Sequence, residues 1–196
     1  MGLLLTAAAV LSRINGPLLA LGRWLGAAMM GVMVVVILIQ VFFRYVLNDA
    51  LPWTEEFSRF LMLWMVSIMA PTAFRHGGFV SIDTIRQFLP ARGAAILNLI
   101  LFTLSAIVLW WAIGIGWSEV TGIGGKFKMP SMMVPTSLDF ATWVKVPRAY
   151  MMASLATGVT MMFSVNIELL LRVLAEALGA GERLKPMSAV AGLEVE

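Results

Sequence analysis

The charged residues that could do chemistry in this 196-residue chain are concentrated between positions 40 and 90. Two apolar runs lie in this segment, and the charges stand at their ends: Arg44, Glu55, Glu56, Arg59, Arg75 and Asp83. A charge at the rim of a bilayer costs little free energy, whereas a charge at its centre costs much more. The placement therefore predicts a helix hairpin that holds a partner at the membrane surface, and not a transport pathway across the bilayer.

The acidic pair of this segment has spacings that allow ion pairing along a helix. Glu55 is four residues and Glu56 three residues before Arg59, so both carboxylates can reach its guanidinium. The pair also follows Pro52 within the first turns, where the helix dipole favours anions. Two interpretations stay open: a clasp within the hairpin that includes Arg44, or contacts with a second protein.

The composition excludes several classes of protein. Hydrophobic residues make up 60% of the chain and charged residues 13%, which is more apolar side chain than a soluble domain of this size can bury. The absence of cysteine excludes disulfides and thiolate ligands, and one histidine without an HExxH-type pair opposes a catalytic metal site. The net charge is only +3, and the basic residues are spread between the apolar runs, so they form no basic stripe that could bind nucleic acid. We therefore expect no metal, no cofactor and no nucleic-acid partner.

Four apolar segments approach the roughly 20 residues that a helix needs to cross a bilayer. Three are charge-free, and the run 60–74 reaches membrane length only when 53–59 is included. We predict an all-α integral membrane protein, one domain over 1–196, with spans at about 22–44, 53–75, 93–117 and 147–171. Pro71 would favour a re-entrant second segment, but proline is tolerated in membrane helices whose neighbours satisfy the freed carbonyl.

The connections and termini complete the predicted topology. Apolar residues share one face of 79–90, which predicts a short amphipathic helix in the membrane interface. We predict an irregular loop over 121–147 and a loose tail over 180–196. Residues 1–11 lack a cationic start, so we expect no cleaved signal peptide. Four spans place both termini on one side, and eight Lys/Arg against six favour the cytoplasm.

Polar groups inside the apolar runs indicate helix packing more than transport. Gln40 and Asn98 are amides that can join helices, and Gly22 with Gly26 forms a GxxxG pair that allows close approach. No acidic residue lies near the middle of a run, and no inverted repeat marks an autonomous transporter. An enzyme would need a convergent nucleophile, base or metal set, which the sequence does not suggest. These features favour an accessory membrane subunit over a self-sufficient transporter, a channel or an enzyme.

The same residues resemble the small membrane subunit of tripartite ATP-independent periplasmic (TRAP) transporters. The resemblance rests on QVFFRYV at 40–46, WTEEFSRF at 53–60, Trp64, VSID at 80–83 and the pair LP at 89–90. The family pattern has a histidine before its V-D element, and this chain has Phe79 in its place. His76 lies three residues earlier, so a role of that histidine does not carry over.

The resemblance implies a complex of three parts in the bacterial inner membrane. A periplasmic solute-binding protein captures an organic acid anion, a large membrane subunit moves it with sodium or proton coupling, and the small subunit is a scaffold. The implied structural or subunit-interface residues are Gln40, Arg44, Trp53, Glu55, Glu56, Arg59, Trp64 and Asp83. The connection between the third and fourth spans runs from Glu119 to Arg148. If it faces the periplasm, its cations offer a positively charged docking surface to the binding protein: Lys126, Lys128, Lys145 and Arg148.

Overall fold

A computed structural model describes residues 2–76, 91–135 and 143–178 of the chain. Within these ranges, four helices are long and apolar enough to cross a membrane. The elements are α1 (Gly2–Tyr45), α2 (Pro52–Arg75), α3 (Ala91–Thr121), the short α4 (Ile123–Lys126), β1 (Lys128–Pro135), β2 (Trp143–Pro147) and α5 (Ala149–Ala177). The predicted all-α membrane fold with four spans is confirmed. The predicted interfacial helix at 79–90, with Asp83, and the tail at 180–196 lie outside the described residues.

The first helix is much longer than the span predicted within it. α1 begins at Gly2 and continues for 44 residues, although the expected crossing starts near residue 22. The preceding residues are mostly leucine and alanine, which favour helix, and Arg13 and Arg23 do not interrupt it. Pro17 lies inside the helix with its ring exposed. At 1.5 Å per residue, α1 is about 66 Å long, roughly twice the thickness of a hydrocarbon core.

The connection between α3 and α5 is not the irregular loop that we predicted. It contains α4 and an antiparallel hairpin, in which β1 pairs with β2 from Lys128 opposite Pro147 to Pro135 opposite Trp143. Trp143, Val144 and Val146 on β2 are aromatic or β-branched residues, which favour strands, and β1 contributes Val134. Pro130 lies where the register shifts between Lys128 and Met133, and irregular pairing is where a strand tolerates proline. The prolines of this connection therefore lie at the strand ends, as Pro135 and Pro147, and at this irregularity, whereas the glycines at 122–125 belong to α4 and its N-cap.

Small residues allow the long helices to approach closely. A Cβ atom on Gly22 would lie 2.8 Å from Ile68 of α2, and one on Gly26 would lie 2.6 Å from the Met69 sulfur, so the GxxxG pair packs on α2. Between α5 and α2, a Cβ atom on Gly158 would lie 2.6 Å from the backbone oxygen of Ser67. Because lipid gives apolar helices no hydrophobic reason to associate, such close packing is what holds them together.

A small apolar core forms where all four long helices meet. Leu19 of α1 packs with Val165 and Leu169 of α5, and Phe74 of α2 and Phe102 of α3 cover them. This core lies toward the end of the bundle that carries the start of α1 and the end of α5. Most other large apolar side chains of the four helices are exposed, so they face lipid or another protein.

The close approach at Gly158 predicts a large effect of one methyl group. Gly158→Ala places its Cβ against the backbone of Ser67, which cannot move aside like a flexible side chain. We expect a loss of about 1–3 kcal/mol in the free energy of unfolding, because overpacking forces the two helices apart. The measurement is thermal unfolding in detergent, followed by the fluorescence of the seven tryptophans.

Gly114→Ala on α3 is the matched control, because nothing lies within 4 Å of its added Cβ. Alanine has the higher helix propensity, so this variant should be as stable as the parent or more so. Equal destabilisation by both substitutions would contradict the packing account.

Candidate functional site

The predicted rim charges on α2 divide into one surface pair and one structural contact. Glu55 and Arg59 form an ion pair of 3.1 Å, and both side chains are largely exposed. Glu56 instead accepts a hydrogen bond of 2.7 Å from the backbone N–H of Ser131, which lies on β1. Glu56 therefore joins the start of α2 to the hairpin, whereas Glu55 and Arg59 stay available at the surface.

The other predicted residues of this segment do not gather into one clasp. Arg44 is exposed and places its guanidinium 5.9 Å from the ring centre of Tyr45, and it forms no ion pair with Glu55 or Glu56. Trp53 is exposed beside Phe57, at 6.2 Å between ring centres, and Gln40 is half-buried. Trp64 donates an indole hydrogen bond of 3.1 Å to the backbone oxygen of Tyr150, which ties α2 to the first turn of α5.

The four predicted docking cations lie on the hairpin and its flanks. Lys126 ends α4, Lys128 begins β1, Lys145 lies on β2 and Arg148 precedes α5. All four are exposed, and the backbone N–H of Arg148 donates to the oxygen of Phe127 at 2.8 Å, which closes the base of the hairpin. We call the surface formed by these four cations the cationic platform. The hydrogen bond from Ser131 to Glu56 brings it to the end of α2 that carries Glu55 and Arg59. The surface at this end is thus mixed in charge.

A buried polar network that sequence reasoning missed lies at the opposite end of the bundle. Its centre is Glu168 of α5, whose side chain is fully buried. Its Oε1 accepts 2.7 Å and 3.2 Å contacts from the Nη2 atoms of Arg75 and Arg172, and its Oε2 accepts a 2.8 Å bond from the Asn15 amide. The carboxylate is therefore held by α1, α2 and α5 together.

Two hydroxyl groups extend this network toward α1. The Ser12 oxygen accepts from the Nη2 atoms of Arg75 and Arg172, at 3.2 Å and 3.1 Å. The Ser164 hydroxyl donates to the Asn15 side-chain oxygen at 2.9 Å, and Asn15 is almost completely buried. Buried charges are tolerated when they are paired and hydrogen-bonded in this way. The network thus fixes the first turns of α1 against the ends of two other helices.

Part of this network was within reach of sequence reasoning. Glu168 and Arg172 are four residues apart, directly after the fourth apolar run, and the antiparallel layout brings the end of α2 to the same side. Only an acidic residue near the middle of an apolar run indicates an ion site from sequence, and Glu168 lies just past the end of the fourth run. The contribution of Asn15 is not visible in the sequence, because 153 positions separate it from Glu168.

The described residues have two features that bear on metal binding and on ligand binding. No group of three or more His, Asp or Glu side chains within them could hold a metal ion. A groove of about 420 Å³ between α3 and α5 is almost entirely apolar, with Glu119 as its one charged lining residue. What the chain does offer chemically is a locked polar network at one end and an exposed, mixed-charge platform at the other.

Comparison with known proteins identifies relatives of this chain. Residues 33–176 match the family model described as "Tripartite ATP-independent periplasmic transporters, DctQ component". A TRAP transporter small permease protein of Haemophilus influenzae is 30% identical over 92 residues, which cover 47% of this chain and 57% of that protein. The isethionate TRAP transporter permease protein DctMQ of Oleidesulfovibrio alaskensis is 29% identical over 118 residues, 52% of this chain and 19% of that protein. The matched stretches thus span little over half of one relative and a fifth of the other.

The buried network predicts that one acidic residue stabilises the bundle far more than another. Glu168→Ala removes the carboxylate that joins Arg75, Arg172 and Asn15, and we expect it to lower the free energy of unfolding by about 3–5 kcal/mol. Thermal unfolding of the purified chain in detergent measures this.

Glu55→Ala is the control, because it breaks an exposed pair whose loss should cost only about 0.2–1 kcal/mol. If the two substitutions changed stability equally, the Glu168 network would not be what holds α1, α2 and α5 together.

Proposed function

The chain belongs to the DctQ component family of TRAP transporters, and from that membership we propose that it is the small scaffold subunit of a binding-protein-dependent secondary transporter. Its partners are a large membrane subunit and a periplasmic solute-binding protein. It is not an enzyme, and it carries no cofactor. The transported molecule is an organic acid anion, and the sodium or proton coupling site lies in the large subunit.

The observation that carries this proposal is the way Glu168 is bound. A buried carboxylate in a membrane helix is a candidate proton or ion site in a transporter. Here two guanidinium groups and an amide N–H occupy its oxygens, at distances of 2.7 to 3.2 Å. A group tied to three helices in this way supports a rigid body, which is what the static part of a transporter requires.

The names of the relatives support the same assignment. Isethionate, which the Oleidesulfovibrio protein carries in its name, is an organic anion, and that name combines DctM with DctQ. This supports a large membrane subunit as partner and an organic acid anion as cargo.

Two groups of residues then have separate proposed roles. Gln40, Arg44, Trp53, Glu55 and Arg59 are half-buried or exposed, so they are candidates for contact with the large subunit, together with Asp83. Glu56 and Trp64 hold the hairpin and α5 against α2, so their role is structural. The cationic platform of Lys126, Lys128, Lys145 and Arg148 is proposed as the docking surface for the binding protein. This requires cytoplasmic termini, which place the hairpin in the periplasm.

Reconstitution of uptake tests the subunit assignment directly. Proteoliposomes containing this chain alone should not take up an organic acid anion under an imposed sodium or proton gradient. Liposomes containing this chain, the large subunit and the binding protein should take up the anion. In a separate pull-down from native membranes, a tag on this chain should recover the large subunit in comparable amount. Uptake by this chain alone would overturn the scaffold assignment.

Charge reversal tests the docking platform. Long-range attraction accelerates the encounter of two proteins and weakens as salt rises. Lys126→Glu or Lys128→Glu should therefore raise the binding-protein concentration needed for half-maximal uptake severalfold at low salt, with a smaller difference at high salt. Arg13→Glu is the matched control, because it makes the same change of charge at an exposed position on the opposite end of the bundle. A platform variant that behaved like Arg13→Glu would remove the docking role.

A further inference from the structure

The first half of α1 carries an apolar stripe that is exposed with respect to the other residues that the structure describes. Val10, Ile14, Leu18 and Leu21 are 41–57% exposed. Their spacing of four, four and three residues places them on one face of the helix. The face of α1 that packs on the bundle is a different one, because it contains the buried residues Ala8, Asn15 and Leu19.

The two exposed flanks of this segment differ in character. Ala9 and Arg13 lie on the flank turned away from the stripe, and both are exposed. A helix that simply faced water over its whole free surface would carry polar residues on both flanks. Here the polar residue lies on one flank and four large aliphatic side chains lie on the other, which is the pattern of a helix with a second partner.

Lipid chains do not extend far enough to cover the stripe. At a typical tilt of about 20°, roughly 21 residues of helix cross a hydrocarbon core of about 30 Å. The charge-free run from Trp24 to Phe43 supplies that length. Val10, Ile14, Leu18 and Leu21 then lie beyond Arg23, on the side of the chain termini. Even a tilt of about 40° would add only about five residues to the crossing, which would include Leu21 but not Leu18, Ile14 or Val10.

The stripe is continuous with the exposed apolar face of the membrane-crossing part of α1. Leu25, Val32, Val35 and Phe42 are exposed at helical spacing from it. A partner that covers the whole line must therefore pack on α1 within the membrane and follow it out of the membrane. A soluble binding protein does not meet this condition, and it would dock at the opposite end, where the hairpin lies.

We propose that Val10, Ile14, Leu18 and Leu21 form a binding surface for an apolar helix of the large membrane subunit, at a level outside the hydrocarbon core. This inference rests on the proposed function. The stripe precedes residue 33, where the match to the family model begins. Its position makes it suited to selecting the large subunit that belongs with this chain.

The absence of native cysteine makes the surface directly measurable. Single variants Ile14→Cys and Leu18→Cys report on the stripe, and Ala9→Cys reports on the polar flank. Each is labelled with a membrane-impermeant maleimide in opened membranes, with this chain expressed alone or together with the large subunit. We expect all three to be labelled when the chain is alone. Co-expression of the large subunit should abolish most labelling of the two stripe positions and leave Ala9→Cys unchanged.

The other occupants give distinct results that would overturn the inference. Stripe positions unlabelled in both samples would mean that lipid or another segment of this chain covers them. An oxidative disulfide between two copies at Ile14→Cys would mean that a second copy of this chain covers them. Unchanged labelling in membranes from which the large subunit is co-purified would leave the proposed function standing and remove only this surface. Failure to co-purify any large subunit would remove both.

Introduction of a charge gives a second, independent readout. Ile14→Glu should reduce recovery of the large subunit severalfold, because the carboxylate would be buried without a partner in the interface. Ala9→Glu, five residues away on the polar flank, should leave recovery unchanged. Both variants should keep the thermal unfolding temperature of this chain, since neither position is buried in it. Equal recovery with both variants would overturn the inference.

Discussion

The carboxylate of Glu168 is the interaction on which the arrangement of the bundle depends. Helices in lipid gain little from burying apolar side chains against each other, so polar ties and close packing must fix their positions. Glu168 receives both guanidinium groups and the Asn15 amide, and through them it joins α1, α2 and α5. The apolar core around Leu19, Val165 and Leu169 lies in the same part of the bundle. The Glu168 network and this apolar core thus lie at the same end of the bundle.

The opposite end has a different construction that suits a different task. There the tie between elements is the hydrogen bond from Ser131 to Glu56, which holds the hairpin on α2, and the indole of Trp64 holds α2 on α5. Charged side chains remain exposed around these contacts. In the proposed scaffold role, the end held by Glu168 would stay rigid and the exposed end would be available for docking.

The exposed surface of α1 is where the proposed larger partner would pack. Its helix is about twice as long as a hydrocarbon core is thick, and its free face is apolar over most of that length. The bundle uses the other face of α1 for Gly22, Gly26 and Asn15. This division of one helix between an internal face and an exposed apolar face is the basis of the proposed contact with the large subunit.

The sequence alone determined the features that depend on local order. Four apolar runs define four membrane helices, because a crossing helix satisfies its own backbone hydrogen bonds whatever surrounds it. The Glu55–Arg59 pair follows from spacing on one helix, and the motifs from Gln40 to Asp83 identified the family.

Only the tertiary structure decided the contacts between distant positions. It brought Asn15 to Glu168 across 153 residues, turned Glu56 to the hairpin instead of Arg44, and paired two strands within the connection that was predicted to be an irregular loop. The physical reason is that periodicity shows which faces are apolar, but not which faces meet. The close approach of small residues and the pairing of buried charges decide that.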